Sequence, residues 1–227
     1  MKIKIRRQDA RDTAPYWQTF DWESCGRMTV AGILDELNYR DDLMDENGTP
    51  CRRVRWECSC MQKMCGSCAM VINGSPALAC GVFIDTDKAK QLVLEPLTKF
   101  PVISDLVTDR SIIQEYQKEA KMYLGKRETP EQKEYAHQYS VAKCLKCGLC
   151  LEVCPNYIQS SQQFFGAAFA NSAYLLYSSS KDRKKEIRKE YQKHFARGCS
   201  KSLACRDICP AHLPTLSSIS YMNKSRR

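Results

Sequence analysis

Histidine is scarce in this chain, with three residues in 227. That leaves little for imidazole-based metal sites, and neither a catalytic triad nor a phosphate-binding loop can be read from the sequence. Long apolar runs are missing too. The longest, "FFGAAFANSAYLLY" from Phe164 to Tyr177, is broken by Asn171 and Ser172. It falls short of the roughly 20 residues that a membrane span needs, so no crossing is expected. The opening "MKIKIRRQDA" has no apolar segment followed by a small-residue cleavage site, which argues against a secretory leader.

Cysteine, by contrast, is abundant, at 14 residues. Without a leader, so many thiols point to a reduced, cytoplasmic compartment and to metal ligation instead of a disulfide framework. The length allows two modest domains, each with its own core, with metal supplying part of the stability. A net charge of +9 would suit a nucleic-acid binder, but that sum treats every cysteine as neutral. Three iron-sulfur clusters of about −2 each would bring the loaded protein to about +3. Part of the basic excess therefore balances clusters, and no nucleic-acid partner is expected.

Hydrophobic periodicity divides the chain. Met1, Ile3 and Ile5 alternate with Lys2, Lys4 and Arg6, "YWQTFDW" offers a second strand after Pro15, and the two make a hairpin. "TVAGILDEL" places Val30, Ile33, Leu34 and Leu37 on one helical face behind Thr29 as N-cap. Asn47-Gly48 marks a turn before the first cysteine-rich stretch. Pro96 and Pro101 frame an extended connector, and the domain boundary is set near residue 104, giving domains 1–104 and 105–227. Beyond it, Leu106, Val107, Ile112, Ile113 and Tyr116 recur at helical spacing. The Gln163–Tyr177 stretch and "KDRKKEIRKEYQKHF" read as further helices, so the second half is expected to be all-helical.

The cysteines fall into sets. Cys144, Cys147 and Cys150, then Cys154-Pro155, form the bacterial ferredoxin run, in which the first three thiolates hold one cube and the fourth reaches a different cluster. A second cysteine-proline pair, Cys209-Pro210, supplies the missing ligand, so Cys144, Cys147, Cys150 and Cys209 are expected to close a [4Fe-4S] cluster. Cys154 then joins Cys199 and Cys205 in "CSKSLAC", where Ser202 stands in the place of a further cysteine. Three thiolates suit a [3Fe-4S] cluster; the alternative is a Ser202 alkoxide holding a fourth iron, which requires a far less acidic group to ionise. Cys60, Cys65 and Cys68 have the plant-type C-x4-C-x2-C spacing, with Cys80 as fourth thiolate, the pattern of a [2Fe-2S] cluster. Cys58 is the rival of Cys60. Cys25, Cys51 and Cys58 are left as buried or bystander thiols. Structural zinc is a competing reading of paired cysteines, but these spacings with exchanged fourth ligands are more particular than a zinc ribbon.

With "CGSCAMVINGSPALAC" as a plant-type loop, "PVISDLVTDRS" leading into the second half, and the two bacterial-type sets after it, the chain resembles the iron-sulfur subunit of succinate dehydrogenase and fumarate reductase complexes. The resemblance implies an α+β protein: an N-terminal β-grasp ferredoxin domain followed by an α-helical ferredoxin domain. It also implies a relay from FAD in a flavoprotein subunit, through the Cys60, Cys144 and Cys154 centres in turn, to a membrane quinone, with no substrate-binding residue on this chain. Implied partners are that flavoprotein and one or more membrane-anchor subunits, with or without haem b, which hold the chain peripherally at the cytoplasmic face of a prokaryotic membrane.

Many ubiquinone-linked members carry tryptophan shortly after the first Cys-Pro and histidine directly after the equivalent of Cys199. This chain has "CPNYIQ" and Ser200 there, which favours menaquinone, with Pro155, Ser200, Lys201 and Lys224 as candidates for lining the quinone site. The Lys181–Lys193 run and the closing "NKSRR" read either as a lipid-facing surface or as plain solvated charge, and "FFGAAFANSAYLLY" as core or as a docking patch. Two other functions fit the same ligands: an iron-sulfur relay for another flavoprotein oxidoreductase, and a free-standing ferredoxin-like carrier.

Overall fold

The structure, a computed structural model, describes residues 1–23, 26–129, 132–161 and 163–224. Cys25 and the terminal 225–227 of "NKSRR" lie outside the described residues. The chain forms two compact units, Met1–Asp109 and Arg110–Arg227.

In the first unit, the alternation of Ile3 and Ile5 with charged neighbours builds β1 (Lys2–Arg7), which pairs antiparallel with β2 (Tyr16–Asp21), Ile3 opposite Phe20. On its other edge β1 runs parallel to β7 (Gln91–Glu95), Ile3 beside Leu92 and Ile5 beside Leu94. The hairpin β4 (Ala69–Ile72) and β5 (Ser75–Leu78) completes a mixed sheet of order β2-β1-β7-β4-β5. Its turn, Asn73-Gly74, has positive φ at both residues, 49° and 78°, as a two-residue hairpin demands. Short strands β3 (Arg27–Thr29) and β6 (Phe83–Asp85) pair separately. Helix α1 (Val30–Tyr39) turns Ile33, Leu34 and Leu37 inward, and these join Ile3, Ile5, Phe20, Leu92 and Leu94 in a core with 0% exposure.

Thr29 caps α1 as expected, its Oγ1 accepting from the Gly32 N–H at 3.0 Å. Thr29→Ala should lower the unfolding free energy by about 1 kcal/mol, within the 0.5–2 kcal/mol typical of lost caps. Urea titration of the full chain, followed by tryptophan fluorescence, measures this.

Two expectations fail at the end of this unit. Between Pro96 and Pro101 the chain turns instead of extending, because Leu97 and Phe100 are buried. Leu106 and Val107 are not helical. They belong to a ribbon of β8 (Val102–Ser104) and β9 (Val107–Thr108), whose tip residue Asp105 takes φ 47°. Asp105 is tied to β1 by the Arg7 Nε bond at 2.9 Å and the Gln8 N–H at 3.0 Å, so the unit extends past residue 104 to Asp109.

The named elements of the second unit are helices: α2 (Ile112–Glu119), α3 (Gln132–Ala142), α4 (Leu149–Glu152), α5 (Gly166–Ser179), α6 (Lys184–Tyr191), α7 (Ala204–Asp207) and α8 (Thr215–Lys224), with short 3-10 and π turns. An isolated bridge joins Arg127 and Ser180. The "FFGAAFANSAYLLY" stretch is core: α5 is buried from Gly166 to Tyr174 and packs against α2, α3, α4, α6 and α8. Gly166 has φ 72°, and a Cβ there would lie 2.1 Å from Leu151 Cδ2, so glycine lets α5 start against α4. In α6, Ile187 and Tyr191 are buried while Lys185 and Lys189 face out. Among the described residues no helix is long and apolar enough to cross a membrane.

Candidate metal centres

Every cysteine among the described residues is a free thiol. In the first unit the Cys60–Cys68 loop passes through positive φ at Met61 (55°), Lys63 (64°) and Gly66 (81°). Bends of this kind turn successive N–H groups to one side and make a concavity suited to negative charge. The N–H groups of Gln62 and Met64 donate to Cys60 Sγ at 3.4 and 3.2 Å, that of Lys63 to Cys80 Sγ at 3.2 Å, and that of Ser67 to Cys65 Sγ at 3.5 Å. The β4–β5 hairpin sets Ala69 opposite Leu78, and the Ala79 N–H bonds the Cys68 carbonyl at 3.0 Å. The Cys68 and Cys80 sulfurs consequently stand 3.4 Å apart.

Hydrogen bonds led by the Ser67 side chain hold the Cys65 thiol down to about 6, while burial pushes Cys68 up to about 12. A thiolate at Cys68 therefore needs a cation in place of its proton. Cys58 is exposed, whereas Cys60 is half-buried. Cys51 accepts from Gln18 Nε2 and donates to the Thr49 carbonyl, both at 3.0 Å, which accounts for it as a structural thiol.

The second unit contains the same loop twice. Lys146 (φ 54°) and Gly148 (φ 88°) lead into α4; Lys201 (φ 60°) and Leu203 (φ 65°) lead into α7. Leu151 N bonds Gly148 O at 2.9 Å and Arg206 N bonds Leu203 O at 2.9 Å; Tyr157 N bonds Cys154 O at 3.2 Å and His212 N bonds Cys209 O at 3.1 Å. In this register Ser202 holds the place of Cys147. Leu203 holds that of Gly148, although left-handed backbone costs a residue with a Cβ about 1–2 kcal/mol.

Two cavities sit at these loops. One is lined by Cys144, Cys147, Cys150 and Cys209, with Cys205 in its wall. The other, about 930 Å³, is lined by Cys154, Cys199 and Cys205 together with Ser200, Lys201, Ser202 and Lys224. Pro155 is exposed and absent from that lining. Burial pushes Cys147 and Cys205 up to about 11 and Cys150 well above the usual thiol range. Buried thiols crowded around a cavity suit a cationic inorganic core that displaces their protons. Among the described residues no three Cys, His, Asp or Glu side chains converge as one bare ion requires. In a cube-type cluster each thiolate holds a different iron, so the ligands stand farther apart than around one ion, and the two cavities of the second unit fit such clusters.

Some residues of these sites escape sequence reasoning. Asn156 donates from Nδ2 to the Gly198 carbonyl at 2.9 Å and accepts from Ser200 Oγ at 2.7 Å, tying the two cysteine loops together. Arg110 Nη1 donates to the Cys147 carbonyl at 3.2 Å. Neither residue belongs to a recognisable pattern; each is brought in by tertiary folding.

A hairpin-anchored four-thiol loop followed by a duplicated cysteine loop defines a protein of two iron-sulfur domains. Comparisons agree: residues 2–115 match the model of a 2Fe-2S iron-sulfur cluster binding domain and residues 140–213 that of a 4Fe-4S dicluster domain. The chain is similar to the succinate dehydrogenase iron-sulfur subunit of Bacillus subtilis (strain 168), 29% identical over 99% of this chain and 91% of that one. It is 31% identical to the fumarate reductase iron-sulfur subunit of Haemophilus influenzae over 96% of this chain and 90% of that one. Its fold matches a chain of the Mycobacterium smegmatis Sdh1 complex in the apo form, with a TM-score of 0.70 at 23% identity, covering 99% of this chain and 96% of that chain. The chain belongs to the family of succinate dehydrogenase and fumarate reductase iron-sulfur subunits, electron-transfer proteins of those oxidoreductases.

Proposed function

We propose that this chain is the relay subunit of a succinate:quinone oxidoreductase or fumarate reductase, standing between FAD in a flavoprotein subunit and menaquinone at a membrane anchor on the cytoplasmic face. The observation that carries the reading is the duplicated loop of the second unit, with Cys209 at the cavity of Cys144, Cys147 and Cys150, and Cys154 at that of Cys199 and Cys205. When bound, iron-sulfur clusters accept and release single electrons, so the protein's own tasks are to hold, space and shield them. In this reading the first unit is a β-grasp domain in which Cys60, Cys65, Cys68 and Cys80 hold [2Fe-2S]. The N–H groups of Gln62 and Met64 favour Cys60 over Cys58 as ligand. The helical unit holds [4Fe-4S] through Cys144, Cys147, Cys150 and Cys209, and [3Fe-4S] through Cys154, Cys199 and Cys205.

The roughly 930 Å³ cavity is lined by the three thiols themselves, so a cluster takes part of it and the remainder is open to a ligand. Ser200, Lys201 and Lys224 on its lining are proposed to face the quinone head group, while the surface position of Pro155 gives it no such role.

Electron paramagnetic resonance on the purified complex, with iron and acid-labile sulfide analysis, tests the proposal. An oxidised-state three-iron signal, lost on reduction, is expected beside a reducible two-iron centre. Finding neither iron nor sulfide sinks the reading. Ser202→Cys should convert the three-iron centre to a four-iron one and abolish the oxidised-state signal, because the register gives residue 202 the place that Cys147 has in the first loop. A persisting three-iron signal at full occupancy would show that the two loops are not equivalent.

A further inference from the structure

Two polar residues interrupt the apolar face of α5: Asn171 lines the four-thiol cavity, and Ser172 holds a lysine that lines it. Lys146, in the left-handed bend between Cys144 and Cys147, lines that cavity, and its Nζ donates to Ser172 Oγ at 2.7 Å. Ser172 Oγ in turn donates to the Ala168 carbonyl at 3.1 Å, so its lone pairs are free to fix the ammonium. Asn171, 3% exposed, also lines the cavity. Its Nδ2 donates to Thr215 Oγ1 at 3.0 Å, while its Oδ1 is buried with no hydrogen-bond partner. A buried amide oxygen facing no donor is costly, and a half-turn of the amide moves that cost to the NH₂ group, which an acceptor in the cavity would meet. The Thr215 hydroxyl then donates to Oδ1, and the NH₂ group turns towards whatever acceptor fills the cavity.

Resting on the reading that Cys144, Cys147, Cys150 and Cys209 hold a four-iron cluster, we propose that Lys146 and Asn171 are positioning residues that raise the reduction potential of that centre. Reduction adds one negative charge to the cluster. An ammonium fixed beside it in a partly dehydrated setting, and an N–H directed at its sulfur, both stabilise the reduced form more than the oxidised one. Ser172 supplies the anchor without which the flexible lysine would swing into solvent, where its charge would be screened. The polar pair thus gives α5 a role beyond packing at two positions where leucine or alanine would serve the core better.

The experiment is a redox titration of the purified complex, followed by the reduced-state four-iron resonance, with iron and sulfide counted for each variant. Lys146→Met should shift the one-electron equilibrium towards the oxidised form on the order of tenfold, about 59 mV. Lys146→Arg should restore most of that shift. Asn171→Leu should lower the potential by a smaller factor, roughly threefold, as expected for one lost hydrogen bond. Lys143→Met, whose Nζ lies over the Tyr139 ring 4.6 Å from its centroid, should leave the potential unchanged. Full iron content with an unaltered potential in Lys146→Met overturns the proposal. If Asn171→Leu fails to load iron, the partly exposed Lys146 still decides the matter. A wild-type complex without any four-iron centre overturns the functional reading itself, and iron analysis identifies that case.

Discussion

Replacing Asp105 by asparagine is expected to lower the unfolding free energy of the first unit by about 3–5 kcal/mol, the range seen when one partner of a buried ion pair is removed. Asp105 and Arg7 are both 0% exposed and meet at 2.9 Å. The carboxylate also accepts from Arg52 Nη1 at 2.6 Å, Arg52 Nη2 at 2.8 Å, and the backbone N–H groups of Gln8 and Arg55 at 3.0 and 2.9 Å. Asparagine tolerates the φ of 47° at this position, so the substitution tests charge and not backbone strain. It strands the Arg7 guanidinium, which keeps Gln18 Oε1 at 2.6 Å and the carbonyls of Arg52 and Arg53 at 3.2 Å but no longer has a counter-charge.

The same carboxylate sets a pH dependence. Burial alone would raise its pKa, but hydrogen bonds from Arg7, Arg52 and the Arg55 N–H outweigh burial and hold it below the ordinary 3.8. Its contribution is therefore complete above the unfolded value near 3.8 and is lost as pH falls through the lower folded value. Wild-type stability should show this acid-side loss, and Asp105→Asn should lack this component of it. Urea titration followed by tryptophan fluorescence reads the first unit alone, since the chain's tryptophans are Trp17, Trp22 and Trp56. A loss under about 1 kcal/mol at pH 7 would mean that Arg7 finds another counter-charge or water, as surface pairs do.

The second large effect separates exchanged ligands from ligands used in chain order. Cys209→Ser should eliminate the reduced-state four-iron resonance of the Cys144 set and leave the oxidised-state three-iron signal. Cys154→Ser should do the reverse, although Cys154 is only one helical turn beyond Cys150. The cavity at Cys144, Cys147 and Cys150 is lined by Cys209 and not by Cys154, and the other cavity shows the opposite choice. Cys205 stands in the wall of both, so Cys205→Ser is expected to remove the three-iron signal while leaving the four-iron ligands intact. Loss of the four-iron centre in Cys154→Ser, with the three-iron signal unchanged, would reverse the assignment.

What could be read from the sequence was local. Ile3 and Ile5 announce β1, Thr29 announces the start of α1, and cysteine spacing puts Cys209 with Cys144, Cys147 and Cys150, which share a cavity, although Cys205 lines both cavities of the second unit. What could not be read depends on partners distant in the chain. The parallel pairing of β1 with β7 needs Ile5 beside Leu94, and nothing in either strand names the other. Leu106 and Val107 carry a helical spacing that loses to the anchoring of Asp105 by Arg7, a bond across 98 residues. Asn171 and Ser172 look like blemishes in an apolar helix until folding sets Lys146 and Thr215 against them.

The crossed cysteine-proline pairs carry a consequence for biosynthesis. Cys144, Cys147 and Cys150 emerge from the ribosome well before Cys209, with roughly sixty residues still to be made, a wait of several seconds at about 5–20 residues per second. During that interval the early loop would hold an unfinished ligand set, and Cys154 would wait somewhat less long for Cys199 and Cys205. On the proposed ligand assignment, neither core has its full set of thiolates until Cys205 and Cys209 have been made. A chain broken off before Cys199 would therefore forfeit both centres at once.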